Sequence, residues 1–300
     1  MAHTHEHGPA NYGRAFAIGV ALNLGFVIIE GGYGYVSNSL ALVADAGHNL
    51  SDVLALLLAW GASVLVLRLP TVKHTYGMRS TSILAALVNA MLLLIAISAI
   101  VWEALQRLMN PAPVEAETVI WVAVVGIVVN TVTALLFMSG RQHDLNIRGA
   151  FMHMAADAAV SAGVVLAGFA IIVTGWEWLD PVVSLLIAAV IFVGTWGLLK
   201  ESINMALDAV PEGIDLSEVK SYLEGLPGVI EVHDLHIWPM STTETALTTH
   251  LVIPDHRADD ALLNEVLETL HDRFGIEHTT IQIEAGNTAH PCKQAPAHTV

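Results

Sequence analysis

The sequence predicts a membrane α-helical protein with six transmembrane helices and a C-terminal cytoplasmic α+β domain. Three observations predict this fold class. The 300 residues are 54% hydrophobic and only 13% charged, which is too apolar for an ordinary soluble domain. Several stretches of about 20 residues carry no charge at all. Residues 208–300 instead alternate polar and apolar positions and hold 16 of the 28 acidic residues.

Four of the predicted spans are free of charge and lie at 80–102, 118–140, 158–176 and 181–199. Each is close to the length of about 20 residues with which a helix crosses hydrocarbon. Three spans reach this length only if they include ionisable residues. They are the first two, at about 14–36 and 39–67, and the fifth, which is extended back to about 148. The polar turn at 37–39 separates the first pair.

These spans predict a transmembrane domain at 14–207, preceded by a His-containing cytoplasmic tail at 1–13. A cytoplasmic domain at 208–286 and a loose tail at 287–300 follow. Lys and Arg concentrate before the first span and in the connections after even-numbered spans, with Arg107 as the exception. Cytoplasmic connections are enriched in these residues, so we expect both termini in the cytoplasm.

The cytoplasmic domain is predicted to run helix, strand, strand, helix, strand. Asp215, followed three residues later by Glu218, indicates the capped start of the first helix. The later elements are indicated by strand-like runs at 229–238, 245–253 and 279–283 and by a helical period at 259–274. This order is typical of a small α+β sandwich.

Charge and cysteine content exclude several classes of function. The net charge is −16, whereas binding to nucleic acid needs a basic surface. No GxxxxGK[ST] motif occurs, so we expect no ATP-driven pump. The single cysteine, Cys292, excludes an internal disulfide. Residues 1–7 lack the regions of a cleaved signal peptide, so we expect the first span to direct insertion.

Two ionisable pairs repeat one spacing inside the predicted spans. His48 and Asp52 are four residues apart on the second span, and His153 and Asp157 are four residues apart on the fifth. Each pair therefore lies on one face of its helix. Two imidazoles and two carboxylates match the number and type of ligands that tetrahedral Zn²⁺ prefers. The repeat predicts a shared Zn²⁺ site, with hydrogen bonding within the bundle or a metal-free proton relay as the alternatives.

Three more acidic residues lie in the predicted spans or directly at the end of one. Glu30 and Glu103 are each alone on their helices and are expected to be structural or interfacial. Asp45 is either a bundle residue or an acceptor that orients His48, three residues later. Imidazole binds metal only when neutral, so metal and protons compete for such a site. A site that opens alternately to each face would exchange protons for metal.

Three runs, at 39–52, 146–153 and 233–238, together with the two HxxxD motifs, resemble the cation diffusion facilitator family. The resemblance covers about residues 12–286. It implies a homodimeric Zn²⁺/H⁺ antiporter in the lipid of the cell membrane, the inner membrane in a bacterium. It also implies a metallochaperone-like αββαβ fold for the cytoplasmic domain. The positions that match the family's transport site are His48, Asp52, His153 and Asp157.

The resemblance also implies metal ligands in the cytoplasmic domain. The family uses a histidine in each of the first two strands and an acidic residue in the third, and these match His233, His250 and Glu284. His236 is predicted on the same strand face as His233, and the further candidates in the tail are His290 and Cys292. Ordinary packing of strand histidines explains each position equally well.

Other polar positions give weaker indications. The connection between spans two and three keeps only His74, so the metal site that some relatives have there is not expected. The N-terminal His3, His5 and His7 fit either loose metal collection or a polar tail.

Two expectations concern the cytoplasmic side. Arg79 and Asp208 are expected to form a hinge ion pair. Residues 208–300 carry a net charge of −12, so this region repels the same region of a second chain. We expect bound Zn²⁺ to offset the repulsion and to draw the two regions together.

The sequence therefore predicts a secondary transporter, not an enzyme, that exports divalent metal ions in exchange for protons, with Zn²⁺ favoured. The alternatives are export of Co²⁺, Ni²⁺, Cd²⁺, Mn²⁺ or Fe²⁺, and a membrane zinc sensor. An intramembrane hydrolase is not expected, because the sequence has no HExxH motif and four protein ligands leave no position for water.

Overall fold

The computed structural model describes residues 13–66, 69–137, 145–254, 260–286 and 292–296. Within the helices, side chains are described except at 13–20, 52, 55–64, 66, 136–137, 145–151 and 153. The histidines at 3, 5, 7 and 290 lie outside the described residues, as do most of the two predicted tails.

Eight helices and three strands occur in the described residues. They are α1 (Gly13–Val36), α2 (Leu40–Val66), α3 (Thr81–Met109), α4 (Ala116–Phe137), α5 (Leu145–Thr174), α6 (Leu179–Ala206), α7 (Leu216–Glu224), β1 (Glu231–Pro239), β2 (Thr245–Val252), α8 (Asp260–Phe274) and β3 (His278–Glu284). Their order and approximate bounds agree with the elements that hydrophobic periodicity predicts.

Four helices of the described chain are long and apolar enough to cross a membrane, and they lie at Thr81–Met109, Ala116–Leu135, Met154–Thr174 and Leu179–Ala206. The helices α1 and α2 contain 24 and 27 residues, which also exceeds the length of about 20 that spanning requires. Large apolar side chains are exposed on the other long helices, for example Ile95 on α3, Leu166 on α5 and Val193 on α6. Hydrocarbon solvates such a surface, whereas water does not.

The chain divides into two compact units, Met1–Leu57 with Asn89–Trp196 and Leu58–Val88 with Gly197–Val300. In the first unit, α4 packs along α5 and against α1. Gly126 permits this close packing, because a Cβ atom there would lie 2.7 Å from the ring of Phe26 and 3.1 Å from Ser161 Oγ. Small residues at helix contacts let backbones approach closely in a membrane bundle.

A carboxylate from α6 caps the start of α2. The buried Asp180 accepts hydrogen bonds from the backbone N–H groups of Leu40 at 2.7 Å and Ala41 at 3.4 Å, and from the Ser39 hydroxyl. The first N–H groups of a helix have no partner within it, and a negative charge there also complements the helix dipole. Asn38, at φ 57°, forms the turn predicted before this helix.

Arg107, the exception to the charge pattern, has local partners. Its Nε donates to Glu103 Oε1 at 3.0 Å, and its guanidinium also donates to the backbone carbonyl of Asn38. The positive charge is therefore balanced by Glu103, one turn earlier on α3, and by a carbonyl just beyond α1. Glu103 is partly exposed, as expected for an interfacial residue.

In the second unit, the three strands form one sheet in the order β1-β2-β3. β1 and β2 are antiparallel, and β2 and β3 are parallel. The helices α7 and α8 cover one face of the sheet with apolar side chains that include Val219, Leu223, Val266 and Leu270. The predicted cap is confirmed, since Asp215 accepts from the backbone N–H groups of Ser217 and Glu218. Hydrogen bonds from the side chain and backbone of Ser217 and from the backbone of Glu218 lower the pKa of Asp215.

A bulge interrupts β1. His233 lies opposite His250, and His236 lies opposite Thr248, so β1 has one residue more than β2 between these pairs. Asp234, at φ 53°, adopts the left-handed conformation inside the bulge. Residues three apart in a regular strand point to opposite faces, but the extra residue returns His236 to the face of His233. The predicted shared face is therefore correct because of the bulge.

The connection before α3 contacts the β1–β2 hairpin within the second unit. Arg79 forms an ion pair with Glu244 at 2.9 Å, and the backbone N–H of Thr242 donates to Ser82 Oγ at 3.1 Å. The expected hinge pair of Arg79 with Asp208 is therefore wrong. The turn between the strands brings Glu244 to the guanidinium, and sequence spacing does not indicate this approach.

The cap on α2 gives a stability prediction. Replacing Asp180 with Ala leaves the first N–H groups of α2 without their acceptor, so we expect the free energy of unfolding to fall by about 0.5–2 kcal/mol. Thermal unfolding of the detergent-solubilised protein measures this loss. Glu177→Ala, which removes an acid from the turn just before α6, is the control. Equal melting temperatures for Asp180→Ala and the parent would contradict the assigned cap.

Candidate metal sites

Side chains from the two HxxxD motifs meet between α2 and α5. His48 Nε2 lies 3.6 Å from Asp157 Oδ1, and the Asp157 side chain is only 3% exposed. Asp52 and His153 occupy the same two helices, one turn from these residues, but their side chains lie outside the described part of the chain. The structure thus brings together one residue from each predicted pair.

Glu30 lies inside the same bundle, so of the two expected roles, structural or interfacial, its position fits the structural one. It is 0% exposed, and its Oε2 accepts a hydrogen bond from Asn49 Nδ2 at 3.2 Å. The sequence shows Glu30 alone on α1, but helix packing places the amide of α2 beside it. Asn49 is therefore a partner that sequence reasoning missed, because residues on different helices share no spacing rule.

Asp45 is the other buried carboxyl group of this region. It is 1% exposed, and its Oδ2 accepts from Ser161 Oγ of α5 at 3.2 Å. In the described part of the chain, neither Asp45 nor Glu30 forms an ion pair with Lys or Arg. Buried ionisable groups are costly at membrane depth unless they are paired or hold a cation. The region therefore favours a positive ion or protons.

A second group of candidate ligands, the tail cluster, consists of His233, His250, Glu284 and Cys292. One donor atom from each lies within 4.8 Å of the others. His250 Nδ1 is 2.9 Å from Glu284 Oε1 and 3.6 Å from Cys292 Sγ, and His233 Nε2 is 3.6 Å from Glu284 Oε2. All three strands position this cluster on the sheet face opposite α7 and α8.

The donor set of the tail cluster fits a divalent metal such as Zn²⁺. Imidazole nitrogen, carboxylate oxygen and cysteine sulfur are all zinc ligands. Both ring nitrogens of His233 are buried without a well-aligned hydrogen bond, although carboxylate oxygens lie nearby, Glu231 Oε1 at 3.2 Å from Nδ1 and Glu284 Oε2 at 3.6 Å from Nε2. Of the candidates from the sequence, His233, His250, Glu284 and Cys292 come together here.

The carboxyl group of Glu284 favours its ionised form. Burial is the largest influence and would raise its pKa, but hydrogen bonds from Cys292 and Gln282 and the nearby imidazoles of His233 and His250 outweigh burial. The pKa of Glu284 therefore lies below its ordinary value. An ionised carboxylate is the form that binds a cation.

His236 lies beside the tail cluster, at the bulge residue Asp234. Its Nε2 is 3.0 Å from Asp234 Oδ1, while Asp234 Oδ2 is 3.5 Å from His250 Nε2. His250 therefore has a carboxylate on each side of its ring. A carboxylate behind a ligating imidazole orients the ring and selects its tautomer. Sequence reasoning missed Asp234, because the bulge that aims its side chain has no clear sequence signal.

Long apolar helices with buried acids, joined to an α+β domain with a cluster of metal-binding side chains, define an integral membrane protein that handles metal cations. Two family models match this chain. The cation efflux transmembrane domain matches residues 16–205, and the cytoplasmic domain of cation efflux proteins matches residues 211–286. The chain belongs to the cation efflux family, and the resemblance to cation diffusion facilitators is confirmed.

Curated relatives extend over nearly the whole chain. The zinc transporter ZitB of Escherichia coli (strain K12) is 38% identical over 306 residues, which cover 99% of this chain and 96% of the relative. The metal cation efflux system protein CzcD of Cupriavidus metallidurans is 37% identical, with 98% and 92% covered. The cadmium, cobalt and zinc/H⁺-K⁺ antiporter of Bacillus subtilis (strain 168) is 36% identical, with 95% and 92% covered.

A solved structure also matches part of the chain. It is the metal-bound C-terminal domain of the CzcD transporter from Cupriavidus metallidurans, which is 40% identical. The match covers 24% of this chain and 99% of that chain, with a TM-score of 0.22.

The position of Asp234 gives a prediction for the tail cluster. Asp234→Asn keeps the size of the side chain and tolerates the left-handed backbone, but removes the charge behind His250. We expect Zn²⁺ affinity at this cluster to fall by about 10–100-fold. Competition titration with a zinc dye measures the change on the full chain. Glu268→Gln, which removes an exposed acid on α8, on the other side of the sheet, is the control. Unchanged affinity in Asp234→Asn would show that this carboxylate does not orient the ring.

Proposed function

We propose that this protein is a secondary transporter that exports divalent metal ions, with Zn²⁺ favoured, in exchange for protons. The observation that carries the proposal is the 3.6 Å approach of His48 to Asp157 inside an apolar bundle. Membership of the cation efflux family supports it, and so do the names of relatives that transport zinc. The family consists of transporters, and the mechanism needs neither ATP nor a covalent step.

We propose that His48, Asp52, His153 and Asp157 form the transport site. One imidazole and one carboxylate from each of α2 and α5 would complete a tetrahedron of the kind that Zn²⁺ prefers. Nitrogen and oxygen ligands also accept other first-row divalent ions. The Bacillus subtilis relative is named for cadmium and cobalt as well as zinc, so export of a second metal is the same-class alternative.

Competition between metal and protons supplies the coupling. His48 and His153 bind metal only as neutral imidazoles, so an arriving ion displaces protons and an arriving proton weakens metal binding. If the bundle opens the site alternately to each side, metal leaves outward and protons enter inward. The proton gradient then drives export without any other energy source.

We infer a six-span arrangement of α1 to α6 with both termini in the cytoplasm, in the cell membrane and, in bacteria, the inner membrane. Helix lengths and the distribution of Lys and Arg support this topology. The proposed domains are tails at 1–13 and 287–300, a membrane domain at 14–207 and a metallochaperone-like αββαβ domain at 208–286. The bounds of the two matching family models support this division.

We propose that the protein is a homodimer whose cytoplasmic domains respond to Zn²⁺ at the tail cluster. Residues 208–300 carry a net charge of −12, so two copies repel each other. A divalent ion at each cluster, held by His233, His250, Glu284 and Cys292, reduces that repulsion. His236 is proposed as an accessory residue through Asp234 rather than as a direct ligand, because it lies beside the cluster.

Flux measurements in vesicles test the transport site. In reconstituted vesicles with a zinc-sensitive dye, we expect the parent to take up Zn²⁺ in a manner that depends on the pH gradient. His153→Ala removes one of four ligands, so its uptake should fall to the level of protein-free vesicles. His74→Ala removes an exposed histidine and is the control. Transport of Mn²⁺ but not Zn²⁺ would refute the zinc assignment, and full uptake by His153→Ala would refute the site.

Distance measurements test the response of the cytoplasmic domains. Spin labels carried by an unnatural amino acid in place of the exposed Lys220 of α7 report the distance between the two cytoplasmic domains of the dimer. We expect Zn²⁺ to shorten this distance, because it lowers the repulsion between the acidic domains. The double variant His250→Ala/Glu284→Gln should not respond. A distance that does not change when Zn²⁺ is added to the parent would contradict the proposal.

A further inference from the structure

Glu30 and Asp45 form a pair of buried carboxyl groups, the Glu30–Asp45 pair, that the proposed transport site does not use. The two side chains are 0% and 1% exposed and lie within hydrogen-bonding distance of each other. Each group has one oxygen that accepts from a neutral donor, Asn49 for Glu30 and Ser161 for Asp45. The other oxygens, Glu30 Oε1 and Asp45 Oδ1, are buried without a hydrogen-bond partner.

Two facing carboxylates cannot both stay ionised in such a place. Like charges in contact, away from water, repel strongly, and one group then takes up a proton that the other accepts in a hydrogen bond. The amide of Asn49 and the hydroxyl of Ser161 give each group only one neutral donor, which offsets part of a charge but not two adjacent charges. The bare oxygens therefore mark a position for a positive ion between the two groups.

The surrounding helices do not supply that charge in the described part of the chain. Asp157 of α5 acts electrostatically on both carboxyl groups and adds to the repulsion, while His48 of α2 acts on Asp45 and also lies against Asp157. The helix α4, packed against α1, has Glu117 in its first turn as its single ionisable residue. The Asp52 and His153 side chains are not described.

The small number of oxygen ligands at this position favours a proton over a metal ion. Hydrogen-bonding distance between two carboxyl groups suits a shared proton, whereas Ca²⁺ and Mg²⁺ need about six or more oxygen ligands. The pair is also separate from the four proposed ligands in sequence, since the nearest of them, His48, is three residues from Asp45. A proton here is therefore distinct from one on a ligating imidazole.

We propose that the Glu30–Asp45 pair holds one counter-ion proton while the neighbouring transport site is empty and releases it when the divalent ion binds there. This proposal rests on the proposed function and assigns the place of one exchanged proton. A bound ion adds two positive charges near Asp157 and His48, and interaction at low dielectric is strong. It therefore stabilises both carboxylates in their ionised form. The carboxylic O–H bond breaks, its electrons stay on the oxygen, and the proton leaves to water.

The test uses Glu30→Gln in the purified full chain. Glutamine keeps the size of the side chain and a partner for Asn49 but is neutral in every state. Protons released per bound Zn²⁺ are measured with a pH dye in weak buffer, beside the zinc stoichiometry. We expect zinc binding to be retained and the release to fall by about one proton per ion. In vesicles, exchange of Zn²⁺ for Zn²⁺ should persist while uptake driven by a pH gradient is lost.

Matched variants test whether the Glu30–Asp45 pair shares a proton or binds a metal ion. Glu117→Gln removes an exposed acid at the start of α4 and should release protons as the parent does. Glu30→Asp, which keeps a carboxyl group, should restore the release. Unchanged proton release in Glu30→Gln would overturn the proposal. Loss of one bound metal ion in the same variant would also overturn it, because that result would identify a metal position instead. Failure of Glu30→Asp to restore release would also overturn it. Absence of zinc flux in the parent would refute the proposed function itself. That result is distinguishable from a failure of the Glu30 variants, because it concerns the unmodified protein.

Discussion

Ionisable side chains buried among apolar helices are the constraint on which the rest of the membrane unit depends. Glu30, Asp45 and Asp157 are almost fully buried, and each costs free energy unless it has a counter-charge, a proton or hydrogen-bond donors. Donors come from neighbouring helices, as Asn49 does for Glu30 and Ser161 for Asp45. These needs tie α1, α2 and α5 together around one polar region. Such a region tolerates a bound positive charge better than it tolerates none.

The same electrostatic logic applies at the end of a helix. Asp180 is buried, yet the first N–H groups of α2 and the Ser39 hydroxyl compensate its charge. The start of α2 is thereby held against α6, and the helix that carries His48 has a defined entry. A residue far from the proposed ligands thus contributes to their placement through a helix terminus rather than through direct contact.

The tail cluster depends on the pleat and pairing of a small sheet. His233 and His250 are directly opposite each other, and Glu284 shares their face from the parallel neighbour. Because α7 and α8 cover the other face, this one is left for polar side chains. The bulge at Asp234 adds a carboxylate behind His250. The cluster therefore arises from register, and small shifts in pairing would separate its members.

The sequence by itself determined the long apolar helices, the αββαβ order and the candidate ligands, since hydrophobic periodicity and residue spacing are local properties. It could place His48 beside Asp52 on one helix face, because four residues complete about one turn. Only the tertiary structure decided which side chains meet across elements: Glu30 with Asn49, Arg79 with Glu244 and Asp234 with His250. These contacts depend on helix packing, a hairpin turn and a bulge, whose geometry is set by the whole fold and leaves no period in the chain.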